Sequence, residues 1–147
     1  PERRVIESAI EVLVNLNHRG AVGAEENTGD GAGILMSMPD EMLRSTVEAT
    51  LPRAGGYLAG IAFLDRDMAA MGGQQQQIGD IVAQEGLEVL AWRTVPTNPD
   101  GLGLQALASM PSFMMLVAAD PSGRINGLAL DRIGLRIRKR TEHEAGV

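Results

Sequence analysis

Apolar positions near the start of the chain recur three and four residues apart, which predicts an amphipathic helix over residues 3–16. Asn17 and Gly20 then supply the stop signals expected at a helix end. The following stretch, residues 20–33, contains five glycines. It predicts a loop, because glycine adopts backbone conformations that other residues avoid.

A second group of elements is predicted after this loop. The short apolar run 34–38 suits a β-strand, and Pro39 ends it. Asp40 belongs to a residue type that caps helices, which places the next predicted helix at about residues 40–50. After a turn, residues 57–64 form another apolar run and a second predicted strand.

Glycine interrupts the pattern in the middle of the chain. Residues 65–73 include Gly72 and Gly73, which interrupt the apolar pattern and leave the element of this stretch open. The four glutamines at 74–77 are predicted to lie on a helix, since the apolar residues after them continue a helical face. Gly86 is a suitable residue for the end of that helix.

Two further apolar runs predict strands at residues 87–95 and 112–119, with a polar loop at 96–103 after the first. Residues 128–130 suit either a short strand or the approach to a helix. The last segment, residues 132–145, predicts a helix with a basic polar side. This mixed order of helices and strands favours an α/β or α+β layered fold, and it leaves the pairing of the strands open.

Composition narrows the class of protein. The 147 residues are enough for one domain, and 44% of them are hydrophobic. The formal net charge of −6 argues against a general nucleic-acid binder, which is usually basic. No apolar run is long enough to span a membrane, and no signal-peptide core follows the N-terminus. We therefore expect a cytoplasmic protein with neither a nucleic acid nor a membrane as partner.

The chain contains no cysteine. It therefore supplies no thiol nucleophile, no disulfide and no thiolate ligand for zinc or an iron–sulfur cluster. His18 and His143 are its only histidines, and they stand far apart without a metal-ligand spacing. We expect no metal site.

The segment 18–33, HRGAVGAEENTGDGAG, carries the residue types best able to act on a ligand. Its glycines can present backbone N–H groups to an anion, and Asn27, Thr28 and Asp30 can form hydrogen bonds with a polar ligand. The same composition is typical of an ordinary helix-to-strand connection held by Asx turns. The segment lacks the lysine of a phosphate-binding P-loop and the strand–turn–helix setting of a dinucleotide fingerprint.

Basic residues cluster in the last predicted helix: Arg136, Arg138, Lys139 and Arg140. Such a cluster can face phosphate or an acidic partner, but it more often forms the solvated side of a helix, here balanced by Glu142 and Glu144. The Asn126-Gly127 dipeptide is interpreted as a turn, and the Met and Leu residues of 110–116 as core.

Three stretches of the chain resemble one known family, in the family's order. The longest is LVNLNHRGAVGAEENTGDGAGIL, from Leu13 to Leu35, and the others are VLAWRTVPTNPDGLG at 89–103 and LRIRKRTEHEA at 135–145. They resemble the start of the glutamate synthase large subunit, a class II glutamine amidotransferase domain. Residues 1–147 are therefore interpreted as part of such a domain.

The resemblance implies a fold and a chemistry. The fold is that of N-terminal nucleophile hydrolases, an α+β sandwich of four layers, αββα, in which two sheets pack face to face. In the family, an N-terminal cysteine attacks the side-chain amide of glutamine and its own α-amino group handles the proton. A γ-glutamyl thioester forms, ammonia leaves, and water releases glutamate. The ammonia serves to make glutamate from 2-oxoglutarate at a separate site.

The chain departs from the family pattern at both ends. The family's cysteine lies on a strand that is expected before Pro1, and its glutamine-gripping arginine and oxyanion-hole segment are expected after Val147. The sandwich is therefore expected to be incomplete, without its first strand and the later part of the domain. No residue is carried over as catalytic, and this chain alone is expected not to hydrolyse glutamine.

The resemblance carries over one loop, which lies beside the active-site cleft in the family. Its matching positions are predicted to shape the wall of that cleft: His18, Arg19, Gly20, Asn27, Thr28, Gly29, Asp30, Gly31 and Gly33. The alternative is that they only hold the backbone conformation of the loop.

Cofactors and partners follow from the same resemblance. The family binds FMN and an iron–sulfur cluster in other domains, so no cofactor is expected in this chain. L-glutamine is the expected substrate of the complete domain, and the remaining glutamate synthase domains or subunit are expected partners. Two alternatives stay open: a non-catalytic binding or regulatory module that uses residues 18–33, and a homo-oligomer that forms through an exposed sheet edge.

Overall fold

In the computed structural model, the described residues are 3–16, 33 and 35–146. They form an α+β fold of five helices and one three-stranded sheet. The elements are α1 (Arg3–Asn15), α2 (Asp40–Thr46), β1 (Tyr57–Leu64), α3 (Met68–Gln84), β2 (Glu88–Thr94), α4 (Leu104–Ser109), β3 (Ser112–Ala119) and α5 (Gly127–Glu144).

The chain divides into two compact units, and the first comprises Pro1–Ser37 and Asn98–Met110. It holds α1, which confirms the first predicted helix, and α4, which follows the predicted loop 96–103. α1 buries none of its side chains, and Val5, Val12 and Val14 are more than half exposed. Its apolar residues therefore make no core among the described residues of this unit.

The strand predicted at residues 34–38 is wrong. Residues 35–38 have no regular secondary structure, and residue 34 lies outside the described part of the chain. A strand needs a neighbour with which to exchange backbone hydrogen bonds, and no described residue pairs with this run. Leu35 is fully exposed, so the apolar character of the run is not matched by burial.

The second unit comprises Met38–Thr97 and Pro111–Val147 and holds the sheet. The strand order is β1-β3-β2, and β3 is antiparallel to both neighbours. Tyr57 lies opposite Ala119 and the pairing of β1 with β3 continues in register to Leu64. The pairing of β2 with β3 shifts by one residue between Val89 and Ala91, where the strand bulges. The predicted strands 57–64 and 112–119 are confirmed, and 87–95 is confirmed with slightly shorter bounds.

Helices α3 and α5 cover one face of the sheet. Their buried apolar residues form a cluster with strand residues of that face: Leu64, Ile78, Ile81, Val82, Leu87, Leu116, Ala118, Leu130, Ile133 and Ile137. Met114 packs against this cluster and Met115 against the cluster on the opposite face. The core interpretation therefore holds for Met114, Met115 and Leu116.

Among the described residues of the second unit, the opposite face of the sheet is covered only at one end. Helix α2 and the segment after it form a smaller cluster with the start of β1 and the end of β3: Leu43, Val47, Leu51, Tyr57, Val117 and Ala119. Ile61 and Phe63 lie on the same face beyond this cluster and are 53% and 59% exposed. The sheet therefore keeps an uncovered apolar area on this face.

The predicted helix 40–50 ends earlier, at Thr46. Val47 is extended, with φ −96° and ψ 128°, and both Val47 and Leu51 are buried under the sheet. The chain is therefore extended at Val47, where the local pattern predicts a helix, and both side chains belong to the cluster on this face of the sheet. The capping prediction for Asp40 is also wrong, because Pro39 is the N-cap and Asp40 makes no cap hydrogen bond.

Residues 65–73, where the sequence pattern left the element open, contain the start of α3. Asp67 is the N-cap, and its carboxylate accepts hydrogen bonds from the N–H groups of Ala69 and Ala70. The predicted helical glutamines lie on α3, where Gln74 accepts from Asp65 N–H at 2.7 Å and Gln77 donates to the Glu144 carbonyl at 2.8 Å. They join α3 to the loop before it and to the end of α5.

Helix α5 starts five residues earlier than predicted. The Asn126-Gly127 pair is the beginning of this helix rather than a separate turn, with Asn126 as N-cap. Gly127 has φ +54°, a value that favours glycine, and its N–H donates to the Gly55 carbonyl at 2.9 Å. This hydrogen bond joins α5 to the turn before β1, which is distant in the sequence. The periodicity of apolar residues therefore does not predict it.

Gly73 lies inside α3, and replacing it with alanine is expected to stabilise the protein by about 0.5–1 kcal/mol. A Cβ at residue 73 would meet no atom within 4 Å, so alanine fits without a clash. Alanine also lowers the conformational entropy of the unfolded chain, which favours the folded state. Gly134→Ala is the matched control, because its Cβ would lie 3.3 Å from Leu58 Cδ2. Urea unfolding should show a larger gain for Gly73→Ala; an equal or reversed order would contradict this packing.

Candidate functional site

The predicted loop falls almost wholly outside the described residues. Only Gly33 is described, and it is exposed. The other predicted positions lie outside: His18, Arg19, Gly20, Asn27, Thr28, Gly29, Asp30 and Gly31. A Cβ at Gly33 would meet nothing within 4 Å, so no described atom requires glycine there. The role of these nine positions stays a prediction.

A slot of about 630 Å³ lies in the first unit, between α1 and the segment around Gly33. Its lining is apolar apart from Ser37: Val5, Ile6, Ala9, Val12, Leu13, Gly33, Leu35, Met36 and Ser37. No charged side chain of the described residues lies in this lining.

Asp40, Arg44 and Tyr57 form a charged cluster in the second unit. Arg44 Nε lies 2.8 Å from Asp40 Oδ2, and Tyr57 Oη donates to Asp40 Oδ1 at 2.7 Å. The Arg44 guanidinium also donates to the carbonyls of Leu51 and Pro52. One cation therefore joins α2 to the extended segment that follows it.

The protonation states in this cluster suit a structural role. The hydrogen bond from Arg44, and then that from Tyr57, lowers the pKa of Asp40. Burial, and then the hydrogen bond to Asp40, raises the pKa of Tyr57 to about 12. At neutral pH the carboxyl group is ionised and the phenol is protonated. Neither pKa is matched to proton transfer near neutrality.

Asp120 is the buried carboxylate after β3, with 8% of its surface exposed. Its Oδ2 accepts hydrogen bonds from the N–H groups of Arg124 and Ile125 and from the Ser122 hydroxyl, and its Oδ1 accepts from Ser122 N–H. The Ile125 N–H, followed by the Ser122 groups, lowers the pKa of Asp120 to about 2. The carboxylate holds the turn between β3 and α5 and has its hydrogen bonds satisfied within that turn.

The basic cluster of α5 is paired with carboxylates. Arg136 and Arg140 both contact Glu85 at the end of α3, at 2.8 Å and 3.2 Å. Arg138 and Lys139 contact Glu142, and Arg140 also contacts Glu144. The predicted balance by Glu142 and Glu144 is confirmed. The additional pairs with Glu85 join α5 to α3, so this face is occupied rather than open to phosphate.

Residues 3–16, 33 and 35–146 contain no group of three His, Cys, Asp or Glu side chains placed to hold a metal ion. The whole sequence lacks cysteine, so residues 1–147 cannot ligate an iron–sulfur cluster through thiolates. No helix in the described part of the chain is both long and apolar enough to cross a membrane.

Sequence reasoning missed the two carboxylate clusters for different reasons. The pairing of Asp40 with Arg44 was readable, because acidic and basic residues four apart on a helix are neighbours. Tyr57 joins them from 17 residues away, which no local pattern indicates. Asp120 stands in a DPSG turn signal, but its carboxylate also accepts hydrogen bonds from Arg124 and Ile125, which follow that turn.

Comparison with known proteins gives consistent matches. The profile of the family described as "Glutamine amidotransferases class-II" matches residues 1–147. The chain is 32% identical over 140 residues to the glutamate synthase [NADPH] large chain of Bacillus subtilis, covering 95% of this chain and 9% of that protein. It is 33% identical over 135 residues to the ferredoxin-dependent glutamate synthase 2 of Synechocystis, covering 90% of this chain and 9% of that protein.

A more distant relative is the glutamate synthase [NADH] of Schizosaccharomyces pombe, 28% identical over 151 residues, covering 97% of this chain and 7% of that protein. The resemblance predicted from the sequence motifs is thus confirmed along nearly the whole chain. The chain spans less than a tenth of the length of these relatives.

Proposed function

Because the chain belongs to the class II glutamine amidotransferase family, we propose that it is part of the glutaminase domain of a glutamate synthase. In this proposal the complete domain releases ammonia from glutamine, and the complete protein uses that ammonia to make glutamate from 2-oxoglutarate. The observation that carries the proposal is the family match over residues 1–147. Relatives above 30% identity that are named glutamate synthases give it independent support.

The four-layer αββα sandwich is part of the proposal. It is supported by the uncovered face of the sheet, where Ile61 and Phe63 are more than half exposed. The Phe63 ring meets Phe113 edge-to-face, with ring centroids 5.1 Å apart. A second sheet packed on this face would bury these side chains, which is the usual reason for one apolar and uncovered face.

The loop 18–33 is proposed to line the glutaminase cleft, with Arg19 at its wall. In the complete protein, Arg19→Ala is expected to lower glutamine-dependent glutamate synthesis about tenfold, equivalent to about 1.4 kcal/mol of transition-state stabilisation. Ammonia-dependent synthesis should be unchanged, because ammonia bypasses the glutaminase step. Steady-state assays with glutamine and with ammonium measure the two activities side by side.

Arg132→Ala is the matched control, since Arg132 is an exposed arginine on α5. It should leave both activities at the level of the unmodified protein. An equal loss in both variants, or a loss of ammonia-dependent synthesis in Arg19→Ala, would count against a role at the cleft.

The isolated chain of residues 1–147 is expected to release no ammonia from glutamine above background. The physical reason is that it has no cysteine and therefore no thiolate to form the thioester. A coupled ammonia assay on the purified chain checks this. Release that follows the chain through purification would show that another residue acts as nucleophile, and the proposed division of the chemistry would then fail.

FMN and an iron–sulfur cluster, as cofactors of the complete protein, are proposed to bind outside residues 1–147, as are the catalytic groups. L-glutamine and the remaining glutamate synthase polypeptide are the proposed partners, and the cytoplasm is the proposed location.

Because the chain has no cysteine, a second candidate function is a non-catalytic module that binds glutamine through residues 18–33. Calorimetry of this chain with glutamine and glutamate separates the two, because only the second candidate requires heat of binding.

A further inference from the structure

The outer edge of β1 is open among the described residues. In the order β1-β3-β2, β1 exchanges hydrogen bonds only with β3, so half of its backbone groups point away from the sheet. The opposite edge strand, β2, carries Glu88, Arg93 and a bulge, which are features that discourage further pairing. β1 has the sequence YLAGIAFL, with no charge, no proline and no bulge. Such an edge is suited to one more strand.

A groove of about 480 Å³ lies along this edge, between β1 and α5. Its apolar lining includes Ile61, Phe63 and Leu135, each more than half exposed. Thr141 also lines it, and the buried Thr141 Oγ1 has no hydrogen-bond partner within the described part of the chain. The groove therefore offers backbone groups and apolar side chains to an extended segment.

Helix α5 runs alongside β1 in the same direction. At its start, Gly127 N–H contacts the Gly55 carbonyl, just before β1 begins. Further along α5, Gly134 lies beside Leu58, and Thr141 lines the groove together with Phe63. The end of α5 therefore lies near the end of β1, where a strand antiparallel to β1 would begin.

The turn after α5 fits this path. Gly146 follows the C-cap Ala145 and has φ +65°, the left-handed conformation that ends many helices and redirects the chain. A segment leaving α5 in this way needs only a short connection to reach the open edge.

The described elements form one split β-α-β unit and the first two elements of a second unit of the same kind. β1 and β2 are each antiparallel to β3 and lie on either side of it, so they are parallel to each other. Together with α3, which connects them, they form the first split β-α-β unit. β3 and α5 begin a second unit of the same kind, with α5 on the same face as α3. Its next strand would lie beyond β1 and complete a split β-α-β arrangement.

We propose that the open edge of β1 binds a strand of the same polypeptide that follows α5 in the longer protein, giving the order β4-β1-β3-β2. The strand runs antiparallel to β1 and carries apolar side chains at alternate positions, where they meet Leu135 and the α5 face. The matched stretch is only 9% of each of two relatives, so those proteins contain many residues outside it. The proposal concerns the sheet alone and does not depend on glutaminase activity.

The test appends to Val147 the roughly 20 residues that follow the matching stretch in the Bacillus subtilis large chain, enough for a turn and one strand. A second extended protein carries the same residues in scrambled order, and the unextended chain is the reference. Amide hydrogen exchange is measured for β1, β2 and β3 in all three proteins. Unchanged protection of β3 shows that the sheet is intact in each.

The expected result is at least tenfold slower exchange of the β1 amides that do not bond to β3, in the native extension only. Unchanged β1 exchange, protection of β2 instead, or equal protection by the scrambled extension would overturn the proposal. Concentration-dependent protection of β1 in the unextended chain, with a dimer mass in solution, would also overturn it and assign the edge to a second copy.

Discussion

Leu130→Ala is expected to lower the free energy of unfolding by about 2–5 kcal/mol, a large part of the usual total of about 5–15 kcal/mol. Leu130 lies in the first turn of α5 and is 1% exposed, within the cluster that joins α3, α5 and the sheet. Its truncation removes buried apolar surface and leaves a cavity, because the neighbouring strand side chains are fixed by their pairing. Urea unfolding followed by circular dichroism measures the change.

Leu135→Ala is the matched control for this prediction. In the chain of residues 1–147, Leu135 belongs to the same helix and is 56% exposed, so the same truncation should cost less than about 0.5 kcal/mol. Similar costs for the two variants would mean that α5 does not pack on the sheet through Leu130. An unchanged m-value is needed for the comparison, since a change would indicate an altered unfolded or native state.

Asp120→Asn is expected to lower the Tm by about 5 °C, the second large effect. The carboxylate accepts from three backbone N–H groups and one hydroxyl through two oxygens. An amide has one oxygen and one NH2 group, so at least one N–H donor of the turn would face another donor. The turn that positions the start of α5 would lose this anchor. Thermal unfolding near pH 6 measures the loss.

The same variant should also change the acid dependence of stability. The pKa of Asp120 in the folded protein is about 2, below its ordinary value of 3.8, so the unfolded chain binds the proton more tightly. The carboxylate therefore contributes fully above about pH 4, and this contribution is lost as the pH falls towards 2. The Tm difference between the unmodified protein and Asp120→Asn should shrink over that window.

Asp131→Asn tests whether the effect is specific to the buried carboxylate, because Asp131 is exposed on α5. Its Tm should stay close to that of the unmodified protein from pH 6 down to about pH 2.5. A constant gap for Asp120→Asn across the same range would mean that its hydrogen bonds, but not its charge, stabilise the turn.

Local patterns in the sequence were sufficient for several elements and for the family. Strands 57–64 and 112–119 are continuous apolar runs, and both are strands of the sheet. The helix of residues 3–16 is confirmed by α1 to within one residue. The family was also readable from the motif at 13–35, because a long and specific string of residues identifies relatives without any knowledge of the fold.

Tertiary contacts set where several other elements begin and end. α2 stops at Thr46 although the local pattern predicts a helix to residue 50, and after it the extended Val47 and also Leu51 are buried against the sheet. The start of α5 depends on a contact between Gly127 and Gly55, and the strand order β1-β3-β2 depends on pairings at least 20 residues apart. Such contacts join distant parts of the chain, so no local periodicity in the sequence records them.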